Sequence, residues 1–203
     1  MKYITYYLTA ALLLIAHNSI SQNRNWTIAR AKDEKATVRY DLVKKDEGTH
    51  FYYIAETTAT TTLDKLDAYF SNTENHKQFL ERTPVTKELK KLSDNEWMAY
   101  YYFNAPWPMS DSDLVLKITR VRKEGSLQLI ATAARSDYKT KDVERMNTYK
   151  VIYDFKELAN GSIKITYNAD YIPIGSIPKF LIKSWFPEGP AQIVTNLGAT
   201  KQH

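Results

Sequence analysis

The residue types that most often carry out catalysis or bind metals are few in this chain and lie far apart. The four histidines are His17, His50, His76 and His203, and none has a second histidine three or four residues away. Because that spacing is what places two imidazoles on one face of a helix, the sequence predicts no metal site. The chain has no cysteine, which excludes thiol catalysis, cysteine-ligated metals and disulfide bonds.

Two carboxylates stand close together in the run Asp111-Ser112-Asp113, as a catalytic acid–base pair would. Next to two prolines and two serines, however, they are more typical of a turn, in which aspartates accept hydrogen bonds from nearby backbone amides. We therefore expect both aspartates to shape the entry into a strand. No G-x-S-x-G motif and no phosphate-binding glycine loop occur in a chain with six glycines. The sequence predicts no catalytic residue and no cofactor.

The first 21 residues have the features of an export signal. Lys2 gives a positive start, residues 6–16 are apolar, and Ser19 and Ser21 are small residues flanking a cleavage position before Gln22. Because a spanning helix needs about 20 apolar residues, the apolar run is short for a membrane anchor, although an uncleaved anchor is the alternative. The prediction is a signal peptide over residues 1–21 and an exported protein, periplasmic or secreted.

The net charge is +5, and its basic residues are spread along the chain rather than concentrated in one stripe. A moderate basic excess favours transient contact with an anionic membrane surface, or simply reflects solvated strand faces and loops. Nucleic acid binding needs a denser basic patch, so we expect no nucleic acid partner. We expect a monomer.

Hydrophobic periodicity predicts one domain over residues 22–203, with strands first, then two short helices, then more strands and a final helix. Alternation at Val38, Tyr40 and Leu42 is typical of a half-buried strand, whereas Leu63, Leu66, Tyr69 and Phe70 form a helical stripe. Residues 73–80 follow as a second short helix. The strands are predicted at residues 26–30, 36–43, 51–60, 85–92, 96–104, 113–121, 127–134, 149–158 and 163–171.

Pro178 stands at a typical first position of the last helix, and Gly189-Pro190 should break or kink it. Segregated strands and helices indicate an α+β fold, with the helices on one face of an antiparallel sheet.

This order of elements, together with two motifs, resembles the START (StAR-related lipid-transfer) family of the helix-grip superfamily. The first motif is residues 105–115, APWPMSDSDLV, and the second is residues 175–178, GSIP, followed by PEGP at residues 187–190. The resemblance implies a curved antiparallel sheet wrapped around a long C-terminal helix, with an elongated cavity between them. In that family the cavity takes a sterol, phospholipid, sphingolipid or other apolar molecule, and the C-terminal helix acts as a lid.

One departure from the family pattern concerns arginines. Ser112 and Ile118 stand where many members carry an arginine, so a buried polar anchor is missing and a more apolar cavity is expected. Arg120, on the same strand face as Ile118, either replaces that anchor or is a solvent-exposed residue at the end of the strand.

The resemblance implies non-catalytic binding, transfer or sensing of a lipid or other hydrophobic ligand. Lys179 and Lys183, one turn apart on the last helix, would assist docking to a membrane. The alternatives are an exported protein- or glycan-interaction module with a filled core, and a cavity enzyme such as a cyclase or hydrolase. The residues predicted to line or close the cavity are Tyr101, Phe103, Trp107, Leu116, Ile118, Arg120, Ile177, Phe180, Leu181 and Trp185.

Overall fold

A computed structural model describes residues 24–33 and 35–199, which form one long sheet and a set of short helices. The predicted signal peptide, residues 1–21, lies outside the described residues. In chain order the elements are β1 (Thr27–Arg30), β2 (Thr37–Lys45), β3 (Gly48–Ala59), α1 (Leu63–Ser71), a 3₁₀ helix (Thr73–Gln78), β4 (Val85–Ser93), β5 (Glu96–Phe103), β6 (Ser112–Lys123), β7 (Ser126–Ala133), β8 (Glu144–Arg145), β9 (Tyr149–Glu157), β10 (Ile163–Tyr171), α2 (Lys179–Trp185) and α3 (Glu188–Gly198).

The sheet has the strand order β1-β2-β3-β10-β9-β7-β6-β5-β4, with antiparallel pairing between all of these neighbours. The strand β8, which the sequence analysis missed, pairs with β6 in parallel. It is two residues long, too short to show any period-two pattern. The α+β class and the antiparallel sheet are confirmed.

The main hydrophobic core lies between the sheet and the helices. Alternate residues of β9 and β10 enter it, among them Tyr153, Phe155, Ile165 and Tyr167, because successive side chains of a strand point to opposite faces. The helix α3 packs on β3 and β10 and buries Val194 and Leu197 completely.

A second, smaller core covers the opposite face of the sheet. Tyr100, Tyr102 and Val115 are buried there beneath the segment that contains Tyr138 and Val143. The aromatic run of β5 is therefore buried on both faces, rather than alternating between core and solvent.

The first helical segment follows its sequence signals. The Thr62 hydroxyl caps α1 by accepting a hydrogen bond from the backbone N–H of Lys65 at 3.3 Å, and Leu63, Leu66 and Phe70 are buried. The predicted second helix is a 3₁₀ helix that ends at Gln78. Within the described part of the chain, no helix is long and apolar enough to cross a membrane.

The C-terminal helical segment is divided in two, although not where the sequence analysis expected. The break falls at Phe186 and Pro187, whereas Gly189 and Pro190 lie in the first turn of α3. A proline is tolerated in a first turn because its missing N–H has no partner there in any case. The helix α2 contains no fully buried residue, so it covers the core rather than filling it.

Candidate ligand-binding site

A cavity of about 520 Å³ lies between the sheet and the C-terminal helices. That volume is within the range of about 300–1,000 Å³ found for small-molecule sites. Its walls are formed by strands β3, β5, β9 and β10, the turn before β4, the loop before β6 with the first residue of β6, the segments after β8 and β10, and helices α2 and α3. The apolar and aromatic lining residues are Phe51, Tyr53, Leu80, Phe103, Pro106, Met109, Met146, Tyr149, Tyr167, Tyr171, Pro173, Ile174, Ile177, Leu181, Ile182, Trp185 and Ile193.

Four of the ten predicted site residues line this cavity, namely Phe103, Ile177, Leu181 and Trp185. The indole of Trp185 packs at right angles to Tyr53, with ring centroids 5.5 Å apart. It also lies so close to Gly189 that a Cβ atom there would stand 2.0 Å from the indole nitrogen. The glycine thus allows the end of α2 to fold back over the start of α3.

Three further predicted residues lie deeper and do not reach the main cavity. Tyr101, Leu116 and Ile118 are buried around a void of about 10 Å³, at the lower limit for one water molecule. They point to the same face of the sheet as the cavity residues. At their end of the sheet, however, α1 and the 3₁₀ helix cover this face, and Phe70 fills the space. Their part of the core is filled rather than hollow.

Arg120 neither lines the cavity nor stands free in solvent. Its guanidinium donates to Asp67 at 2.9 Å and to the carbonyl oxygen of Asp94 at 2.5 Å, and its side chain is 24% exposed. The sequence alternatives were a ligand anchor and an exposed residue, and both are wrong because an acidic residue on α1 faces the strand. This ion pair fastens α1 to the sheet.

The two remaining predicted residues are aromatic and exposed. Trp107 is 88% exposed in the loop before β6, and Phe180 is 61% exposed on α2. Neither side chain lines the cavity, although both belong to segments that form its rim, beside Pro106 and Leu181.

The two aspartates of the first motif have different partners. Asp111 accepts a hydrogen bond from the backbone N–H of Ala105 at 2.9 Å and another from the Tyr102 hydroxyl, which confirms its role in the turn. The same prediction for Asp113 is wrong. That carboxylate is 1% exposed and accepts two hydrogen bonds of 2.7 Å from the guanidinium of Arg145, which β8 brings alongside β6.

Tyrosines form much of the cavity wall, and the sequence analysis did not select them. Tyr53, Tyr149, Tyr167 and Tyr171 come from three adjacent strands and all line the cavity. Burial raises the pKa of Tyr149 to about 12 and raises the pKa of the other three as well, so all four hydroxyls stay protonated at neutral pH. Alternation along β9 and β10 is the signal that would have found Tyr149, Tyr167 and Tyr171.

Charged side chains on the cavity wall lie at its rim. Glu81 and Arg82 are exposed in the turn before β4, and Glu188 begins α3. The Glu188 carboxylate accepts a hydrogen bond from the backbone N–H of Lys32 at 3.2 Å, outside the hollow. In the described ranges, no group of three or more His, Asp or Glu side chains is placed to hold a metal ion.

A buried histidine supports the filled end of the core. His76 is 1% exposed, and its two ring nitrogens lie 2.7 Å from the Tyr101 hydroxyl and 2.7 Å from the carbonyl oxygen of Phe70. Desolvation lowers its pKa to about 4, opposed by the smaller effect of the hydrogen bond to Phe70. The ring is therefore neutral at physiological pH and acts as a structural bridge.

A curved antiparallel sheet closed by a C-terminal helical segment, with two short helices after the third strand, defines a START-like helix-grip domain. Solved structures support this class. A STAR-related lipid transfer protein from Xanthomonas axonopodis superposes with a TM-score of 0.71 at 20% identity, covering 86% of this chain and 97% of that one.

Two human structures show the same architecture. The StarD13 lipid transfer and protein localization domain gives a TM-score of 0.68 at 14% identity, covering 88% of this chain and 90% of that one. The human StAR-related lipid transfer protein 5 gives a TM-score of 0.68 at 16% identity, covering 85% of this chain and 84% of that one. At these identities the likeness establishes the fold.

An uncharacterized protein of Pseudomonas aeruginosa is 21% identical over 192 residues, which cover 94% of this chain and 92% of that protein. No protein-family model matches the chain.

Proposed function

We propose that this protein binds a lipid or similar hydrophobic molecule in its cavity and carries it without chemical change. The observation that carries the proposal is the cavity of about 520 Å³ between the sheet and the C-terminal helices, lined chiefly by aromatic and aliphatic side chains. Solved proteins of the same fold are described as lipid transfer proteins, which agrees with this use of the cavity.

The energetics of such a carrier depend on apolar contact. Each buried CH₂ group contributes roughly 0.8 kcal/mol, so a 16-carbon chain gains on the order of 12 kcal/mol on leaving water. The rings of Phe51, Tyr53 and Trp185 and the side chains of Leu181 and Ile193 offer a surface of matching character. A non-catalytic role is consistent with this wall, on which charged groups lie only at the rim.

The helix α2 is the proposed lid. None of its residues is fully buried, and Leu181, Ile182 and Trp185 turn toward the cavity. Ligand entry then requires α2 to move away from the sheet, while α3 stays in place through buried residues such as Val194. Opening and closing of this segment would set the rate of exchange.

Membrane docking is the proposed trigger for opening. Trp107 and Phe180 are exposed at the rim, and Lys179 and Lys183 lie on the same helix as Phe180. Aromatic rings are favoured at the bilayer interface, and each lysine near an anionic surface contributes about 1 kcal/mol. The basic excess of the chain acts in the same direction.

The docking proposal is tested by cosedimentation with phosphatidylcholine vesicles, with and without phosphatidylglycerol. The double variant Trp107→Ala/Phe180→Ala should lose most binding while unfolding at the same urea concentration, because both rings are exposed. The matched control is Leu92→Ala, which removes an exposed apolar side chain near the β4–β5 turn, outside the rim. Equal binding by all three proteins would refute the docking surface.

We also propose that the protein is exported to the periplasm or the exterior, with residues 1–21 removed. The support is the charge and hydropathy pattern of those residues. Cell fractionation followed by N-terminal sequencing tests it. A mature chain that begins at Gln22 in the exported fraction is expected, and an intact Met1 in the cytoplasm would contradict the proposal.

The carrier function is tested by purifying the protein from its own source without detergent, followed by organic extraction and mass spectrometry. A stoichiometric lipid is expected. An empty extract, together with no uptake of fluorescent fatty acid, sterol or phospholipid, would instead favour an interaction module.

A further inference from the structure

The tyrosine hydroxyls inside the cavity form a polar cluster on a wall that consists chiefly of apolar and aromatic side chains. Tyr53 lies on β3, Tyr149 on β9, and Tyr167 and Tyr171 on β10, the strand between them. Tyr171 pairs directly with Tyr149, and Ala169 pairs with Tyr53, so the four rings occupy one patch of the inner face. Ring centroids are 5.2 Å apart for Tyr149 and Tyr171 and 5.5 Å for Tyr53 and Tyr167. We call this patch the tyrosine cluster.

A long hydrogen bond joins two members of the tyrosine cluster. The hydroxyl oxygens of Tyr53 and Tyr167 are 3.5 Å apart, beyond the usual range of 2.5–3.0 Å for two hydroxyls. A phenol can donate one hydrogen bond and accept others, so the cluster keeps donor and acceptor capacity beside the hollow. Since the four residues line the cavity, their hydroxyls can form hydrogen bonds with a ligand inside it.

The charge of that partner is limited by its surroundings. Burial raises the pKa of every member of the tyrosine cluster, so the hydroxyls are neutral donors and acceptors with no compensating charge. Arg82 is the one basic residue on the described cavity wall, and it stands exposed at the rim. An ionised phosphate or carboxylate held at the cluster would be buried without a counter-ion, at a large desolvation cost.

From this geometry we propose that the ligand is an uncharged lipid with a hydroxyl or carbonyl oxygen, bound with that oxygen end against the tyrosine cluster. The inference rests on the proposed carrier function and specifies its ligand class. The apolar body of the ligand then extends past Trp185 and Leu181 toward the lid. The ligand oxygen forms hydrogen bonds with the tyrosine hydroxyls, and the lipid tail fills the hollow.

The test compares three probes of equal chain length: hexadecanol, hexadecane and palmitate. Each probe is added at a concentration below its own aggregation limit, and its displacement of a fluorescent apolar reporter from the full-length protein is measured at pH 7. Hexadecanol should bind more tightly than the other two. One or two hydrogen bonds predict a preference of roughly two- to tenfold or more over hexadecane.

The variant Tyr167→Phe/Tyr171→Phe removes two hydroxyls and keeps the rings. It should reduce the ratio of hexadecanol affinity to hexadecane affinity toward one, and it should leave the hexadecane affinity unchanged. The control variant Tyr138→Phe removes a hydroxyl on the opposite face, where it accepts from Lys87 Nζ at 3.2 Å, and should keep the full preference.

The outcomes separate the two proposals. Failure of all three probes to displace the reporter overturns both the carrier function and the ligand class. Equal binding of hexadecanol and hexadecane overturns the role of the tyrosine cluster while the carrier function stands. Preferential palmitate binding that is lost in Arg82→Gln also overturns it, because the polar end would then sit at the rim.

Discussion

The buried imidazole of His76 should make the stability of this domain depend on pH in a defined direction. The unfolded chain binds a proton at His76 with an ordinary pKa near 6.5, whereas burial lowers the folded pKa to about 4. Between these two values the unfolded state binds more protons than the folded state. The contribution of the neutral His76 to the free energy of unfolding is therefore fully present above pH 6.5, and it is lost as the pH decreases toward 4.

The size of this effect follows from the difference between the two pKa values. One pKa unit corresponds to about 1.4 kcal/mol, so lowering the pH from 7 to 5 should cost about 2 kcal/mol of unfolding free energy through His76 alone. Reaching pH 4 should bring the loss to about 3 kcal/mol. Few surface groups would produce so large a change over this range, because the shift requires a group that is almost fully buried.

Urea unfolding at pH 7, 6 and 5 measures the effect, with His76→Gln as the variant that cannot titrate. The variant should be less stable at pH 7, having lost its contacts with Tyr101 and Phe70, but its stability should change less with pH. His50 is the other histidine in the described part of the chain; it lies on β3, with the carboxylates of Glu47 and Asp170 near its ring.

The pair His50→Gln and His50→Gln/His76→Gln should therefore reproduce the same difference in pH dependence. If the wild type and His76→Gln lose stability in parallel between pH 7 and pH 5, the buried neutral histidine is not the cause. Should the variant fail to fold, an NMR titration of the wild-type ring gives the same information: it should remain neutral at pH 5.

Other substitutions test the site and its supports. Gly189→Ala should displace the indole of Trp185, because the added Cβ would lie 2.0 Å from its nitrogen, and ligand dissociation measured by stopped-flow fluorescence should accelerate; an unchanged rate would exclude Trp185 from the closed lid. Arg145→Gln should cost about 3–5 kcal/mol in urea unfolding because it leaves the Asp113 carboxylate buried without its partner. The exposed ion pair removed by Arg122→Gln should cost less than about 1 kcal/mol, and similar losses in both variants would contradict this account.

Local signals in the sequence were sufficient to predict most of the strands and helices and their order along the chain. Alternation and runs of aromatic and β-branched residues located nine of the ten strands, and the apolar stripe of Leu63, Leu66 and Phe70 located α1. The hairpin between β9 and β10 turns at Gly161, whose φ of 77° favours glycine. These features depend on neighbours in the chain, so their physical causes can be read from short segments.

The position of the cavity could not be read in this way. Tyr101 and Phe103 are on the same strand and the same face, yet one is sealed beneath the 3₁₀ helix and the other borders the hollow. Trp107 was selected for its size and motif, but the course of its loop leaves it in solvent. Which inward residues meet a helix and which meet empty space depends on where the helices rest on the sheet.

Ion pairs between residues distant in the chain could not be predicted from the sequence either. Asp113 and Arg145 are 32 residues apart, and Arg120 and Asp67 are 53 apart, so no sequence spacing connects them. By itself, the sequence determined the strands, the first helix, the α+β class and the likeness to the START family, because these follow from local periodicity and short motifs. Only the tertiary structure decided which aromatic residues enclose a cavity, which fill the core and which charges are paired, because each depends on contacts between segments distant in the chain.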